Sequence, residues 1–350
     1  MKFNLKVNVY RPYLDITKFI LSCLVVFIHF VLPKQLGGIT DCIARVAVPF
    51  FFMISGYYAY KCNNKDLWRR LLRNLIYLVG ATAVYLLWGI WKTYHLSDST
   101  ICSYLHDNFN RSTIRDFLFY GVNTFSTPLW FIEALVVAYF VFIVVIKMIK
   151  HDGVRAGVFG ILILVLLGWH FWKGLIKPIV FNETITNHYY RNAWFFGIPI
   201  FLVGYEIRFW KERSVSIKCW YRILQLCLIV VGIALGLYQW FRFGKAEIPI
   251  GMLIVAISLF LFVLDLPAES DNKKLIGVTK ILGQASLWIY LFHKLVGDII
   301  QSYAPYNSVC RVLFENDYLF PVVVMVISSG LSFVFVCIVR RVKNNVITSR

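Results

Sequence analysis

The chain has 350 residues, of which 59% are apolar and 17% aromatic, and its formal net charge is +18. Soluble domains average about 45–50% apolar residues, so this composition excludes an ordinary water-soluble protein and indicates an integral membrane protein. The positive charge does not indicate a nucleic-acid partner, because Lys and Arg cluster in the connections between apolar segments, where they set membrane orientation.

Apolar runs long enough to cross a bilayer as helices recur along the whole chain. We predict an all-α integral membrane protein with about ten transmembrane helices. They lie near 13–32, 43–60, 71–91, 128–149, 154–172, 192–209, 221–241, 248–265, 280–301 and 318–340. Basic residues in alternate connections put both termini in the cytoplasm. A single polytopic domain over 1–345 and a short cytoplasmic tail at 346–350 are expected.

The first predicted helix carries Asp15, Lys18 and His29 in an otherwise apolar run. Lys18 and His29 are eleven residues apart, which leaves them roughly 20° out of line on one helical face and about 16 Å apart along the axis. One interpretation is that Asp15 and Lys18 anchor the helix at the interface and that His29 bonds a neighbouring helix. The shared face favours the other interpretation, a functional path through the protein.

Four further ionisable residues are predicted towards the outer side of the membrane, as His29 is: Arg45, Glu133, Arg191 and His293. Arg45 begins the second predicted helix, and His293 lies beyond the middle of the ninth. Ionisable groups at this depth usually face the protein interior and mark functional sites. The predicted depths therefore allow these residues to form a polar cluster with His29. The alternative is an ion pair between Arg45 and Glu133 that only stabilises the structure.

The cysteines show no metal-binding spacing, and no metal is expected. The longest outer connection, about 93–127, is polar with interspersed aromatic residues. It is predicted either to cover an outward-facing site or only to link two helices.

Several segments resemble motifs of acyltransferase family 3, in family order. They are YLDITKFILSCLVVFIH, in which a basic residue precedes a histidine by eleven positions, IARVAVPFFFMISGYYAYK, TPLWFIEALVVAYF, RNAWFFGIPIFLVGYEI and LGQASLWIYLFHKLV. Proteins of this family transfer acyl groups from coenzyme A thioesters, often onto surface glycans. The resemblance implies an O-acetyltransferase-like enzyme of the bacterial cytoplasmic (inner) membrane. Its expected partners are membrane lipid, acyl-CoA (acetyl-CoA foremost) and a glycan or lipid-linked glycan.

The resemblance implies a catalytic role for His29, and the chemistry of the other polar residues suggests roles for them. His29 would be the catalytic histidine, and imidazole is suited to removing the proton of an acceptor hydroxyl. Glu133 would orient His29 or bind the acceptor, and Arg45 would stabilise the developing oxyanion. The expected donor-binding residues are Lys18, Asp15 and Ser55, and the expected acceptor-binding residues are Arg191, His293, Trp130 and Tyr57.

One position departs from the family pattern, because Lys18 stands where the first motif usually has arginine. Lysine keeps the positive charge and loses the planar two-point grip of a guanidinium. Direct transfer and transfer through an acylated protein both fit the sequence. A transporter or flippase for a lipid-linked sugar would also use buried charges, and an inactive scaffold of this fold follows if Lys18 cannot replace arginine.

Overall fold

A computed structural model describes residues 10–97, 99–181, 186–213, 219–244, 247–267 and 273–348. These residues form α-helices joined by short connections, and no β-strand occurs among them. The helices are α1 (Pro12–His29), α2 (Lys34–Ala44), α3 (Ala47–Ala59), α4 (Asn64–Leu96), α5 (Ile101–Asn108), α6 (Arg111–Tyr120), α7 (Trp130–Met148), α8 (Asp152–Phe171), α9 (Lys177–Phe181), α10 (Ile198–Lys211), α11 (Cys219–Phe243), α12 (Ile250–Asp265), α13 (Lys273–Tyr303), α14 (Ser308–Glu315) and α15 (Leu319–Thr348). The prediction of an all-helical membrane protein is confirmed.

Eight helical segments of the described chain are long and apolar enough to cross a bilayer. Each of the predicted spans coincides with a helix, but two helices fall short of that length. They are α12, with 16 residues, and α10, with 14 residues preceded by a π-helical turn, Ala193–Gly197. The count of about ten spans therefore stays a prediction.

Several boundaries differ from the predictions, since α4 begins at Asn64 rather than near 71 and α13 at Lys273 rather than near 280. The second segment is a broken helix from Lys34 to Ala59, and Arg45 lies at the break between α2 and α3 rather than at the start of a helix. The predicted tail 346–350 is helical as far as Thr348. Its last two residues lie outside the described ranges.

The helices group into two compact units, one comprising 1–47, 217–241 and 248–350, and the other comprising 48–216 and 242–247. In the first unit α1 and α13 are parallel neighbours, since Asp15 lies against Gly283 and Phe30 against Gly297. The last helix, α15, runs antiparallel to α1, because Phe30 meets Phe320 and Phe19 meets Phe333. A buried apolar core fills the space between these three helices.

The first unit also contains a close antiparallel crossing of α11 and α12. A Cβ added at Gly251 would collide with backbone atoms of Gly232 and Gly236. These two glycines are four residues apart, which is the spacing that lets membrane helices approach to backbone contact.

In the second unit α3 crosses α10 at two glycines. A Cβ at Gly56 would collide with the carbonyl of Phe201, and one at Gly204 with the backbone of Met53. Buried aromatic rings surround this crossing, among them Phe52 against Phe196. Small residues at the crossing and aromatic rings beside it position α10 within this unit.

Two short helices, α5 and α6, occupy the connection 93–127, which is predicted to be the longest outer connection and is called the outer connection below. Asn110 caps α6 at its start, and Gly121 ends the helix in the left-handed conformation that glycine adopts readily. Residues of α5, of α6 and of the segment 122–125 line a partly open apolar cavity of about 160 Å³ together with Thr82 of α4. Burial raises the pKa of the Tyr104 phenol in α5. The connection is thus an ordered layer of the second unit.

Candidate functional site

The predicted polar face of α1 lies along α13 in the first unit. At its beginning, Lys18 Nζ forms an ion pair with Asp15 Oδ1 at 2.5 Å. Gly283 of α13 lacks a side chain at this point, and a Cβ there would collide with the Asp15 carboxylate. Ser22 continues the face by donating a hydrogen bond to the Lys18 carbonyl oxygen at 2.8 Å.

The far end of the same face brings two histidines together. The rings of His29 and His293 have centroids 5.1 Å apart and planes inclined by 41°. His293 is completely buried, whereas His29 is half-buried. One position further along α13, Lys294 pairs with Asp298 at 3.2 Å.

The hydrogen bond of His293 fixes the tautomer of its neutral ring. Nδ1 lies 3.1 Å from the carbonyl oxygen of Ile289, and a carbonyl oxygen only accepts, so Nδ1 carries the proton. Nε2 is then a bare acceptor. It is buried and has no hydrogen-bond partner among the described residues. A ring acceptor is therefore left over beside His29.

Arg45 has a local partner in the first unit. Its Nε donates to Asp41 Oδ1 at 3.0 Å, and both side chains are buried. The guanidinium also lies over the Trp240 ring, 5.7 Å from its centroid. Sequence reasoning missed Asp41, although the four-residue spacing of Asp41 and Arg45 on a helix was the available signal.

Glu133 lies in the first turn of α7 in the second unit, where it is 8% exposed. Its Oε2 has no hydrogen-bond partner in the described part of the chain. Gly121 is so close that an added Cβ would lie 3.3 Å from the carboxylate atoms. The outer connection therefore reaches Glu133 directly.

Arg191 and Trp130 are neighbours in the same unit. The Arg191 guanidinium lies 5.0 Å from the Trp130 ring centroid, and its Nη1 bonds Glu247 Oε2 at 2.5 Å. Asn187 donates to the other oxygen of Glu247 at 2.8 Å. Glu247 and Asn187 were absent from the sequence prediction, since no local spacing links Glu247 to a residue 56 positions earlier.

Tyr57 lies at the opposite end of α10 from Arg191. Arg208, in the last turn of α10, donates to its hydroxyl at 2.5 Å. Ser55 donates to the Phe51 carbonyl of its own helix at 3.1 Å. Trp130 and Arg191 are thus neighbours, and Tyr57 lies apart from both. All three had been predicted to bind the acceptor.

The predicted site residues divide between the two units. His29, His293, Asp15, Lys18 and Arg45 belong to the first unit, and the remaining five belong to the second. Nowhere in the described residues do three or more His, Cys, Asp or Glu side chains converge as metal ligands would.

Comparisons with known proteins give two matches. The sequence matches the family described as an acyltransferase domain over residues 11–341. A serine/alanine racemase from Enterococcus gallinarum is 25% identical over 340 residues, covering 91% of this chain and 43% of the racemase. The chain thus spans less than half the length of this relative. No solved structure gives a significant match.

Proposed function

The chain belongs to the acyltransferase domain family that matches residues 11–341, and we propose that it moves an acyl group, acetyl foremost, from acyl-CoA to a hydroxyl of a cell-surface glycan or its lipid-linked precursor. The membrane would be the bacterial cytoplasmic membrane. The contact between His29 and His293, at the far end of a helix face that begins with Asp15 and Lys18, is the observation that carries this proposal.

His29 is the proposed general base. It removes the proton of the acceptor hydroxyl as the oxygen attacks the thioester carbonyl. A tetrahedral oxyanion forms, the C–S bond breaks, and the imidazolium returns the proton to the departing CoA thiolate. The products are an ester and free CoA thiol, so one imidazole serves both halves of the transfer.

Arg45 is the proposed partner of the oxyanion, since its ion pair with Asp41 holds a buried cation in a fixed position. Lys18 is the proposed donor contact, through a phosphate of CoA. The roughly 16 Å between Lys18 and His29 suits the extended pantetheine arm that would join that phosphate to the thioester. Glu133 is proposed to bind the acceptor.

A reconstituted transfer assay tests the function. Purified protein in lipid vesicles is given acetyl-labelled acetyl-CoA and a panel of acceptors: neutral oligosaccharides, anionic oligosaccharides, and serine, on which the named relative acts. We expect CoA thiol to be released only when an acceptor is present, and we expect that acceptor to carry the labelled acetyl group. A parallel set of vesicles carries a lipid-linked sugar, and movement of that sugar across the membrane, with no CoA release in any arm, would instead establish the transporter alternative.

Both termini are proposed to be cytoplasmic. The parallel course of α1 and α13 and the antiparallel course of α15 fit termini that lie on the same side of the membrane, and the basic connections favour the cytoplasm as that side. A reporter that is active only in the cytoplasm is expected to be active when fused after Arg350. The same reporter fused within 93–127 is the control and should be silent. Activity of an external-only reporter after Arg350 would contradict this topology.

Lys18→Ala is expected to raise the acyl-CoA concentration needed for half-maximal transfer by about tenfold or more, since hydrogen bonds to charged groups contribute roughly 1.5–3 kcal/mol. Lys18→Arg should retain activity, because its guanidinium keeps the charge. Asp15→Asn should lower the donor requirement, because Asp15 competes with the donor for Lys18. Donor-concentration curves at matched membrane levels measure all three.

Lys147→Ala is the matched control for this series, since Lys147 lies in the last turn of α7, where it is an ordinary helix-end cation. Its donor curve should match that of the wild type. If the Lys18→Ala curve matches it as well, Lys18 is an interfacial anchor and plays no part in donor binding.

A further inference from the structure

A cluster of polar and aromatic side chains surrounds the start of α7 in the second unit. We call Trp130, Glu133, Asn187, Arg191 and Glu247 the α7 cluster. Trp130 and Glu133 are three residues apart on one helix and so lie on the same side of it. Arg191 covers the Trp130 ring. Asn187, Arg191 and Glu247 are joined by hydrogen bonds.

The cation of the α7 cluster is already neutralised. Glu247 accepts from Arg191 with one carboxylate oxygen and from Asn187 with the other. Glu133 adds a carboxyl group and no positive charge. The cluster as a whole therefore carries no net positive charge, so it offers an anionic ligand no attraction that would offset the cost of removing that ligand's charge from water.

The α7 cluster also contains unused hydrogen-bonding groups. Oε2 of Glu133 is a buried acceptor and Nε of Arg191 is a buried donor, and neither atom has a hydrogen-bond partner among the described residues. A buried polar group that is left unpaired destabilises the folded protein. A ligand with hydroxyl groups would satisfy both, because a hydroxyl donates to a carboxylate and accepts from a guanidinium.

Aromatic rings continue from the cluster towards the surface. Tyr120 meets His188 and Tyr189, with ring centroids 5.5 and 5.2 Å away, and Tyr189 is exposed. Tyr120 directly precedes Gly121, the residue that lies against Glu133. Rings with polar edges beside buried hydroxyl-binding groups suit the mixed apolar and polar faces of a sugar.

We propose that the α7 cluster binds an uncharged sugar and selects it against sugars that carry carboxylate or phosphate groups. The inference rests on the proposed function in taking this sugar to be the acyl acceptor. Glu133 accepts a hydrogen bond from a sugar hydroxyl, and Arg191 donates one to a sugar oxygen. Glu247 neutralises the charge of Arg191, so that the arginine does not attract anions.

Binding is tested without catalysis, on an array of neutral oligosaccharides and of oligosaccharides bearing uronic acid or phosphate. The probe is the labelled full-length protein in detergent. The wild type is expected to bind neutral members. Glu247→Gln preserves the side-chain shape and leaves Arg191 uncompensated, so the ratio of anionic to neutral binding should rise by about tenfold or more. In the Arg191→Gln and Glu247→Gln double variant, the ratio should return to that of the wild type.

Glu212→Gln is the matched control. Glu212 is also paired with an arginine, Arg208, and its side chain is 15% exposed, against 13% for Glu247. Its binding profile should equal that of the wild type. The proposal is overturned if the wild type binds only anionic members of the array or none of them. It is also overturned if the ratio of anionic to neutral binding is unchanged in Glu247→Gln. CoA release in the transfer assay is a separate readout, so failure of the proposed function is distinguished from failure of sugar selection.

Discussion

His29→Ala is expected to lose acyl transfer by roughly 10²–10⁴-fold, the contribution typical of a positioned general base. Without the imidazole the acceptor hydroxyl keeps its proton and attacks the thioester poorly. The ring is half-buried at the end of α1, so its removal should cost little packing. The measurement is acceptor-dependent CoA release by purified protein, with the melting temperature recorded on the same preparation.

His106→Ala is the matched control for His29→Ala, because His106 is an exposed histidine of the outer connection. Its turnover should equal that of the wild type. If the His29→Ala protein has the melting temperature of the wild type and keeps near-normal turnover, His29 is not the general base. Loss of turnover together with a large fall in melting temperature would call for His29→Gln, which keeps polarity and similar volume. Normal turnover by a folded His29→Gln protein would also contradict the role of His29 as the general base.

The polar face of α1 was predictable because a helix has a fixed period. Once a helix was expected near 13–32, the eleven-residue spacing of Lys18 and His29 set their shared face. The depth of His293 followed from counting along an outward-going helix. The contact between the two histidines required the pairing of α1 with α13, which glycines 283 and 297 permit by close approach. Sequence spacing carries no information on that pairing.

The partners of the two predicted arginines were less accessible to sequence reasoning. Asp41 lies one turn before Arg45, and it was overlooked because the helix was expected to begin at about 43. Glu247 lies 56 residues after Arg191, and only the folded second unit places its carboxylate there. Local partners can be found from helical spacing, whereas distant ones depend on tertiary packing.

His293 is expected to position His29, and the loss of its Nε2 should lower turnover by about 10- to 100-fold while leaving the requirement for acyl-CoA unchanged. Nε2 is a bare acceptor because Nδ1 donates to the Ile289 carbonyl. It lies in the ring that faces His29. The two rings are in contact without a hydrogen bond in this structure, since Nε2 has no partner among the described residues. When the His29 ring turns towards it, Nε2 can accept from an N–H of His29 and thereby fix which nitrogen of His29 is free to take the hydroxyl proton.

Two substitutions separate positioning from packing. In His293→Asn the side-chain amide can still donate to the Ile289 carbonyl, but the side chain is too short to reach the Nε2 position. His293→Gln places its amide near that position and can offer an oxygen there. If Nε2 orients His29, Gln should restore much of the turnover that Asn loses, at equal melting temperature. If the buried ring only fills space, both variants should lose turnover in proportion to their loss of stability, and an equal loss in both would contradict a positioning role.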